Sequence, residues 1–105
     1  MGPNSVFLYA EYQVSMPFQA LDWKDANERM LKFPGLLSKT WLSGINTQTV
    51  GGFYEFDSLE NARKYVGEVL VPLAQRLNGS LSVKLFDAQV TRDASVGMKS
   101  PFYRG

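Results

Sequence analysis

Histidine and cysteine are both absent from the 105-residue chain, and this limits the available chemistry before anything else does. Without histidine there is no side chain that titrates unaided near neutral pH, and no imidazole for a transition metal or haem iron. Without cysteine there is no thiol chemistry and no disulfide framework. Reactive roles fall to carboxylates, Tyr, Lys, Arg, Trp or backbone groups. Such side chains and their aromatic neighbours recur at a spacing of two in Tyr9-x-Glu11, Lys39-x-Trp41, Tyr54-x-Phe56 and Lys84-x-Phe86. On a strand, that spacing puts both members of a pair on one face. Aromatic surface with a few charged groups set into it suits the lining of a small-molecule cavity.

The elements that must carry these pairs are legible from periodicity. Val6 to Val14 alternates as a strand, with Leu8, Ala10 and Tyr12 on one face and Phe7, Tyr9, Glu11 and Gln13 on the other. Phe18 to Lys32 follows as a helix whose apolar stripe is Trp23, Ala26, Met30 and Phe33, stopped by Pro34-Gly35. Leu36 to Ile45 and Thr49 to Phe56 form a hairpin across a polar turn, with Leu37, Lys39, Trp41 and Ser43 sharing a face. Gly51-Gly52 suggests a bulge or a close backbone approach.

Ser58 is a candidate N-cap for the next helix, with apolar positions Leu59, Ala62, Val66, Val69, Leu70 and Leu73. Pro72 is expected to break this helix near Val69 and start a short second piece, which Asn78-Gly79 ends. Leu81 to Val90 is the fourth strand. Residues 91–105 read as a polar tail whose aromatics, Phe102 and Tyr103, could dock on the body or on a partner.

The order β-α-β-β-α-β defines an α+β fold, the ferredoxin-like split βαβ unit with a four-stranded antiparallel sheet and both helices on one face. One domain spans 1–105, with a core of about residues 6–90. With 45% hydrophobic and 20% charged residues, disorder is not expected. A net charge of +1 leaves no footprint for a nucleic acid. There is no apolar run long enough for a membrane span and no signal-peptide pattern, so a cytoplasmic location is expected.

Helices cover one face of such a sheet. The other is expected to carry Tyr9, Trp41, Phe86, Tyr54 and Phe56, with Glu11, Gln13, Lys39 and Lys84 among them. An aromatic patch of that size marks an interaction or ligand surface. A homodimer packed sheet to sheet would bury it and enclose a pocket.

The segments Pro34-Gly35-Leu36-Leu37-Ser38-Lys39-Thr40-Trp41, Gly51-Gly52-Phe53-Tyr54-Glu55-Phe56 and Lys84-Leu85-Phe86-Asp87, together with Met16-Pro17-Phe18, resemble the YdhR-like monooxygenases in order and spacing. The likeness runs from about Phe7 to Val90. It implies a dimeric α+β barrel, with a cavity between each sheet and its helices or partner. It also implies oxidation of a small aromatic, polycyclic phenolic or polyketide-like substrate by molecular oxygen, with no metal, flavin or haem cofactor. By match, Lys39, Trp41, Tyr54, Phe56, Lys84 and Phe86 carry over, while Glu55 departs where an apolar residue is expected.

In that chemistry the catalytic candidates are Trp41, Lys39 and Glu11. Tyr9, Tyr54, Phe56, Lys84 and Phe86 are the substrate-binding candidates. The competing readings are a non-catalytic or stress-related dimer that binds a small aromatic molecule, and a polyketide-type cyclase or isomerase on the same barrel.

Overall fold

A computed structural model describes residues 5–77 and 79–103. Four strands, β1 (Val6–Gln13), β2 (Leu36–Ser43), β3 (Thr49–Phe56) and β4 (Leu81–Asp87), form one antiparallel sheet in the order β2-β3-β1-β4. The helices are α1 (Trp23–Leu31), α2 (Leu59–Tyr65), α3 (Val71–Leu77) and α4 (Arg92–Gly97). This is the expected ferredoxin-like order, with a helix added in the tail.

Residues paired across an antiparallel ladder point to the same side of the sheet. The register therefore sorts every strand residue onto a face. One face carries the rows Lys39–Tyr54–Leu8–Leu85, Trp41–Gly52–Ala10–Val83 and Ser43–Val50–Tyr12–Leu81. It packs under the helices, where Leu8, Ala10, Tyr54, Phe56, Ala62, Tyr65 and Leu70 make the core. The other face carries Ser38–Glu55–Phe7–Phe86, Thr40–Phe53–Tyr9–Lys84 and Leu42–Gly51–Glu11–Ser82.

This sorting corrects the sequence reading. Trp41, Lys39, Tyr54 and Phe56 were expected on the open face; all four lie on the helix face. One cause is a bulge in β2 between Leu36 and Ser38. The extra residue, Leu37, reverses the alternation, so Leu36 and Lys39 both turn toward the helices while Leu37 is exposed. In β3 the pairing of Tyr54 with Leu8 places Tyr54 and Phe56 in the core, and turns Phe53 and Glu55 outward. The departure at Glu55 is thereby accounted for, because it stands on the open face.

The helices differ in detail from expectation. A 3₁₀ turn at Phe18–Ala20 precedes α1, which starts only at Trp23, where the Asp22 side chain accepts from the Asp25 amide at 3.3 Å. Gly35, at φ +83°, makes the turn into β2, and a side chain there would run into Asn61 and Asp57. Ser58 caps α2 as expected, accepting from Asn61 N–H at 3.2 Å.

Pro72 does not break the second helix. A wide π-helical turn, Val66–Leu70, joins α2 to α3, with Val71 N–H donating to the Val66 carbonyl. Widening the turn accommodates a proline that lacks an amide and would crowd a regular one. Asn78 of the expected terminal cap lies outside the described residues, and Gly79 N–H donates to the Ala74 carbonyl at 3.0 Å.

Strand β4 ends at Asp87, three residues early, because its carboxylate accepts from the amides of Gln89 (2.8 Å) and Val90 (3.2 Å) and turns the chain. The tail then folds back on the open face. Phe102 packs on Phe53 (ring centroids 4.9 Å apart) and Phe7 (6.0 Å), and Tyr103 meets Phe7 edge-on at 5.7 Å. The Tyr103 hydroxyl donates to the Ala88 carbonyl at 2.7 Å. Among the described residues, no helix is long and apolar enough to cross a membrane.

Candidate functional site

A cavity of about 500 Å³ opens between α1 and the π turn with α3, floored by the helix face of the sheet. Its apolar walls include Trp41, Trp23, Phe33, Met30, Val69 and Leu73, and Tyr12 reaches it from β1. Arg29, Arg76, Glu68 and Asp22 are the charged residues around it. The apolar stripes of α1 and of the second helix do not close on each other, which leaves large side chains such as Trp23 37% exposed. A volume of this size suits a small organic molecule.

Trp41 is held in the wall by two directional contacts. Its indole N–H donates to Asn27 Oδ1 at 2.9 Å, and Phe18 meets its ring edge-on at 5.5 Å. Lys39, two residues earlier, lays its Nζ 3.3 Å from the centroid of the Trp41 ring and 4.8 Å from that of Tyr54, with Met30 Sδ at 3.4 Å. The lysine stem passes over Gly52, where an added Cβ would stand 2.7 Å from Lys39 Cε. Glycine at 52 is thus what lets the amine reach this position.

Burial pushes the Lys39 amine from 10.5 down to about 7. The ring faces of Trp41 and Tyr54 favour the ammonium and oppose that shift in part. Burial, followed by the neighbouring Tyr65 and Tyr12, drives Tyr54 far above the ordinary phenol range. Burial likewise raises Tyr65 to about 12 and raises Tyr12. The Tyr65 hydroxyl is buried with no hydrogen-bond partner at bonding distance.

The candidate residues therefore separate into two groups. Lys39, Trp41, Tyr54 and Phe56 come together on the helix side; of these Trp41 lines the cavity, Lys39 stands behind it, and Tyr54 and Phe56 are core. Tyr9, Glu11, Lys84 and Phe86 lie on the opposite face, so the sheet stands between Glu11 and Trp41. Partial burial, then the Glu11 carboxylate, raises the Tyr9 phenol. Phe86 remains 47% exposed beside the docked tail.

The sequence reading missed Asn27, Tyr12, Arg29, Arg76 and the use of Met30 and Phe33 as cavity wall. The helical stripes were visible in the sequence; that they stand apart was not, although a tryptophan in the first turn of α1 hints at it.

The fold is that of an α+β domain of the kind seen in SnoaB, a cofactor-independent oxygenase from Streptomyces nogalater. The match has a TM-score of 0.56 and 16% identity over 81% of this chain and 93% of that one. A conserved protein from Methanosarcina mazei Go1 matches with a TM-score of 0.60 at 15% identity, over 81% of this chain and 93% of that one. A Bacteroides thetaiotaomicron protein described as a possible oxidoreductase matches with a TM-score of 0.61 at 14% identity, over 82% and 99%. At such identities the likeness speaks for the fold. Residues 8–96 match the family described as Putative mono-oxygenase ydhR, and the chain belongs to that family. No curated protein sequence matches it.

Proposed function

We propose that this protein is a monooxygenase that oxidises a small, flat, electron-rich aromatic or polyketide-like molecule in the cavity between α1 and α3, without metal, haem or flavin. The observation that carries this reading is the cavity itself, aromatic-walled and built around a Trp41 fixed by Asn27 and Phe18, in a chain of this family. The cofactor-independent activity described for SnoaB supports it, as does a sequence with no imidazole or thiolate to hold a metal.

The substrate supplies the electrons. An ionised phenol or enol passes one electron to oxygen, the radical pair combines at carbon, and loss of water leaves a carbonyl. A ring-flanked CH₂ becomes C=O, and the second oxygen atom leaves as water, so no outside reductant is needed. The apolar walls would hold the ring system flat and in place, which is much of what such a reaction asks of a protein. Trp41, Trp23 and Phe33 offer faces and edges for stacking.

The functional unit in this reading is a homodimer formed through the open sheet face, where Tyr9, Thr40, Leu42 and Lys84 are not covered by the tail. The whole chain is one domain in this reading, and each copy carries its cavity on the helix side of the sheet.

Oxygen uptake with a dihydroxyanthrone tests the activity. The expected result is one oxygen consumed per quinone formed, unaffected by a chelator, with Trp41→Ala lowering kcat/KM at least about tenfold. Tight binding with no uptake above the uncatalysed rate would instead identify a non-catalytic binding protein.

A further inference from the structure

We infer that the cavity takes its phenolic or enolic ligand as the anion, and that Lys39 carries the balancing proton as an ammonium behind the Trp41 wall. The inference rests on the proposed cavity, but not on any reaction with oxygen.

Lys39 is held in an uncommon setting. Its neighbours are the Trp41 face from β2, the Tyr54 face and the bare backbone of Gly52 from β3, and the Met30 thioether from α1. None of these is an anion. The phenols nearest this cluster, Tyr54, Tyr65 and Tyr12, are all shifted upward and stay neutral through the physiological range. The charged groups around the cavity are Asp22, Arg29, Glu68 and Arg76. The ion pairs found among the described residues, Arg29–Asp25, Lys64–Glu60 and Arg92–Asp93, do not involve Lys39.

A buried amine with no counter-ion gives up its proton readily, and burial has brought Lys39 close to neutrality. It is restored to the ammonium by an anion placed nearby. Two of its contacts, Trp41 and Met30, are themselves cavity walls, so a ring stacked on Trp41 lies one side chain away. A charge about 7 Å distant at an effective dielectric near 20 shifts an ionisation roughly tenfold or more.

The exchange balances. The ligand O–H breaks, an N–H forms on Lys39, the proton passes through solvent, and no net proton is released. The ligand class follows: an acidic phenol or enol whose anion is delocalised over a flat ring system, the form that also gives up an electron most easily.

The test uses the intact protein and 2-naphthol under anaerobic conditions, with the longer-wavelength absorption of the naphtholate as readout. In the wild type, titrated from about pH 6 to 10, bound naphthol is expected to ionise at least about one pH unit below free naphthol. Calorimetry in two buffers of different ionisation enthalpy should then show little proton release. Lys39→Met should bind naphthol in its neutral form. Lys39→Arg, permanently charged, should restore the anion but release close to one proton per ligand bound. An unshifted ionisation of naphthol bound to the wild type, the same shift in Lys39→Met, or no binding at all overturns the inference. Anion binding without oxygen uptake in a separate aerobic assay leaves it standing and removes only the oxygenase reading.

Discussion

At the residue scale, Lys39 trades stability for position. Its amine has a lower pKa folded than unfolded, so between about pH 7 and 10.5 the unfolded chain binds the extra proton. Stability therefore rises as pH increases through that window, and the full cost of burying the charge is felt below it. Lys39→Met keeps the stem length and removes the charge. It should stabilise the protein by roughly 2–4 kcal/mol below pH 7, a figure reduced from the full shift because the side chain is only partly buried, and the gain should vanish toward pH 10. Urea melts of both proteins across pH check the sign; an equal difference at all pH values would mean that Lys39 is not desolvated. Gly52→Ala attacks the same feature from below. The added methyl would meet Lys39 Cε at 2.7 Å and Tyr54 Cε1 at 3.0 Å. It should turn the lysine out, raising its pKa toward 10.5, as NMR of the labelled Lys Cε would register. The pair Lys39-x-Trp41 was readable as a unit from spacing. What the lysine rests on was not, because that depends on which β3 residue lies across the ladder.

At the element scale, one residue in β2 decided which pairs meet. Strict alternation from Leu36 sends Lys39 and Trp41 away from the helices, and the bulge at Leu37 brings them back. No residue in Leu36-Leu37-Ser38 announces a bulge, whereas the glycines at 51 and 52, which suggest a bulge or a close backbone approach, sit in a regular ladder with β1 where a side chain on Gly51 would run into the Ala10 carbonyl. The core stripe of α2 also ran differently: Tyr65, fully buried against Tyr54 at 5.1 Å and Phe33 at 5.1 Å, is a polar-tipped residue that periodicity had passed over. Strand identity and order survived these errors because each strand pattern was long enough to be read without its neighbours. The tail shows the converse, since α4 has too few residues for a periodic signal, yet Phe102 docks. Phe102→Ala should cost about 1–3 kcal/mol, less than a fully buried phenylalanine, through lost packing on Phe53 and Phe7. Amide exchange over residues 91–103 should rise with it. Unchanged stability and unchanged exchange would show that the tail is not held by these rings.

At the scale of the whole molecule, one face of the sheet floors the cavity and the other holds the docked tail, and this alters what a dimer would contribute. A shared open-face pocket built by Trp41, Tyr54 and Phe86 requires both copies; the cavity observed lies on the far side of the sheet, against α1 and α3. The tail already covers Phe7, which is only 8% exposed, and packs on Phe53. A second copy would therefore meet the rows Thr40–Phe53–Tyr9–Lys84 and Leu42–Gly51–Glu11–Ser82. Leu42, 36% exposed and in the same row as Glu11, is the position at which to break such a contact. Sedimentation at micromolar concentration should give twice the 11.8 kDa chain mass for the wild type and the single-chain mass for Leu42→Glu, which sets two carboxylates on one row of a buried face. The far-ultraviolet spectrum should not change. Binding of 2-naphthol should also stay within about twofold, because the cavity lies across the sheet from Leu42. A wild type that sediments as a monomer would remove the dimer while leaving the cavity reading intact. A monomeric Leu42→Glu that folds but no longer binds would mean that the site extends through the sheet to the partner after all.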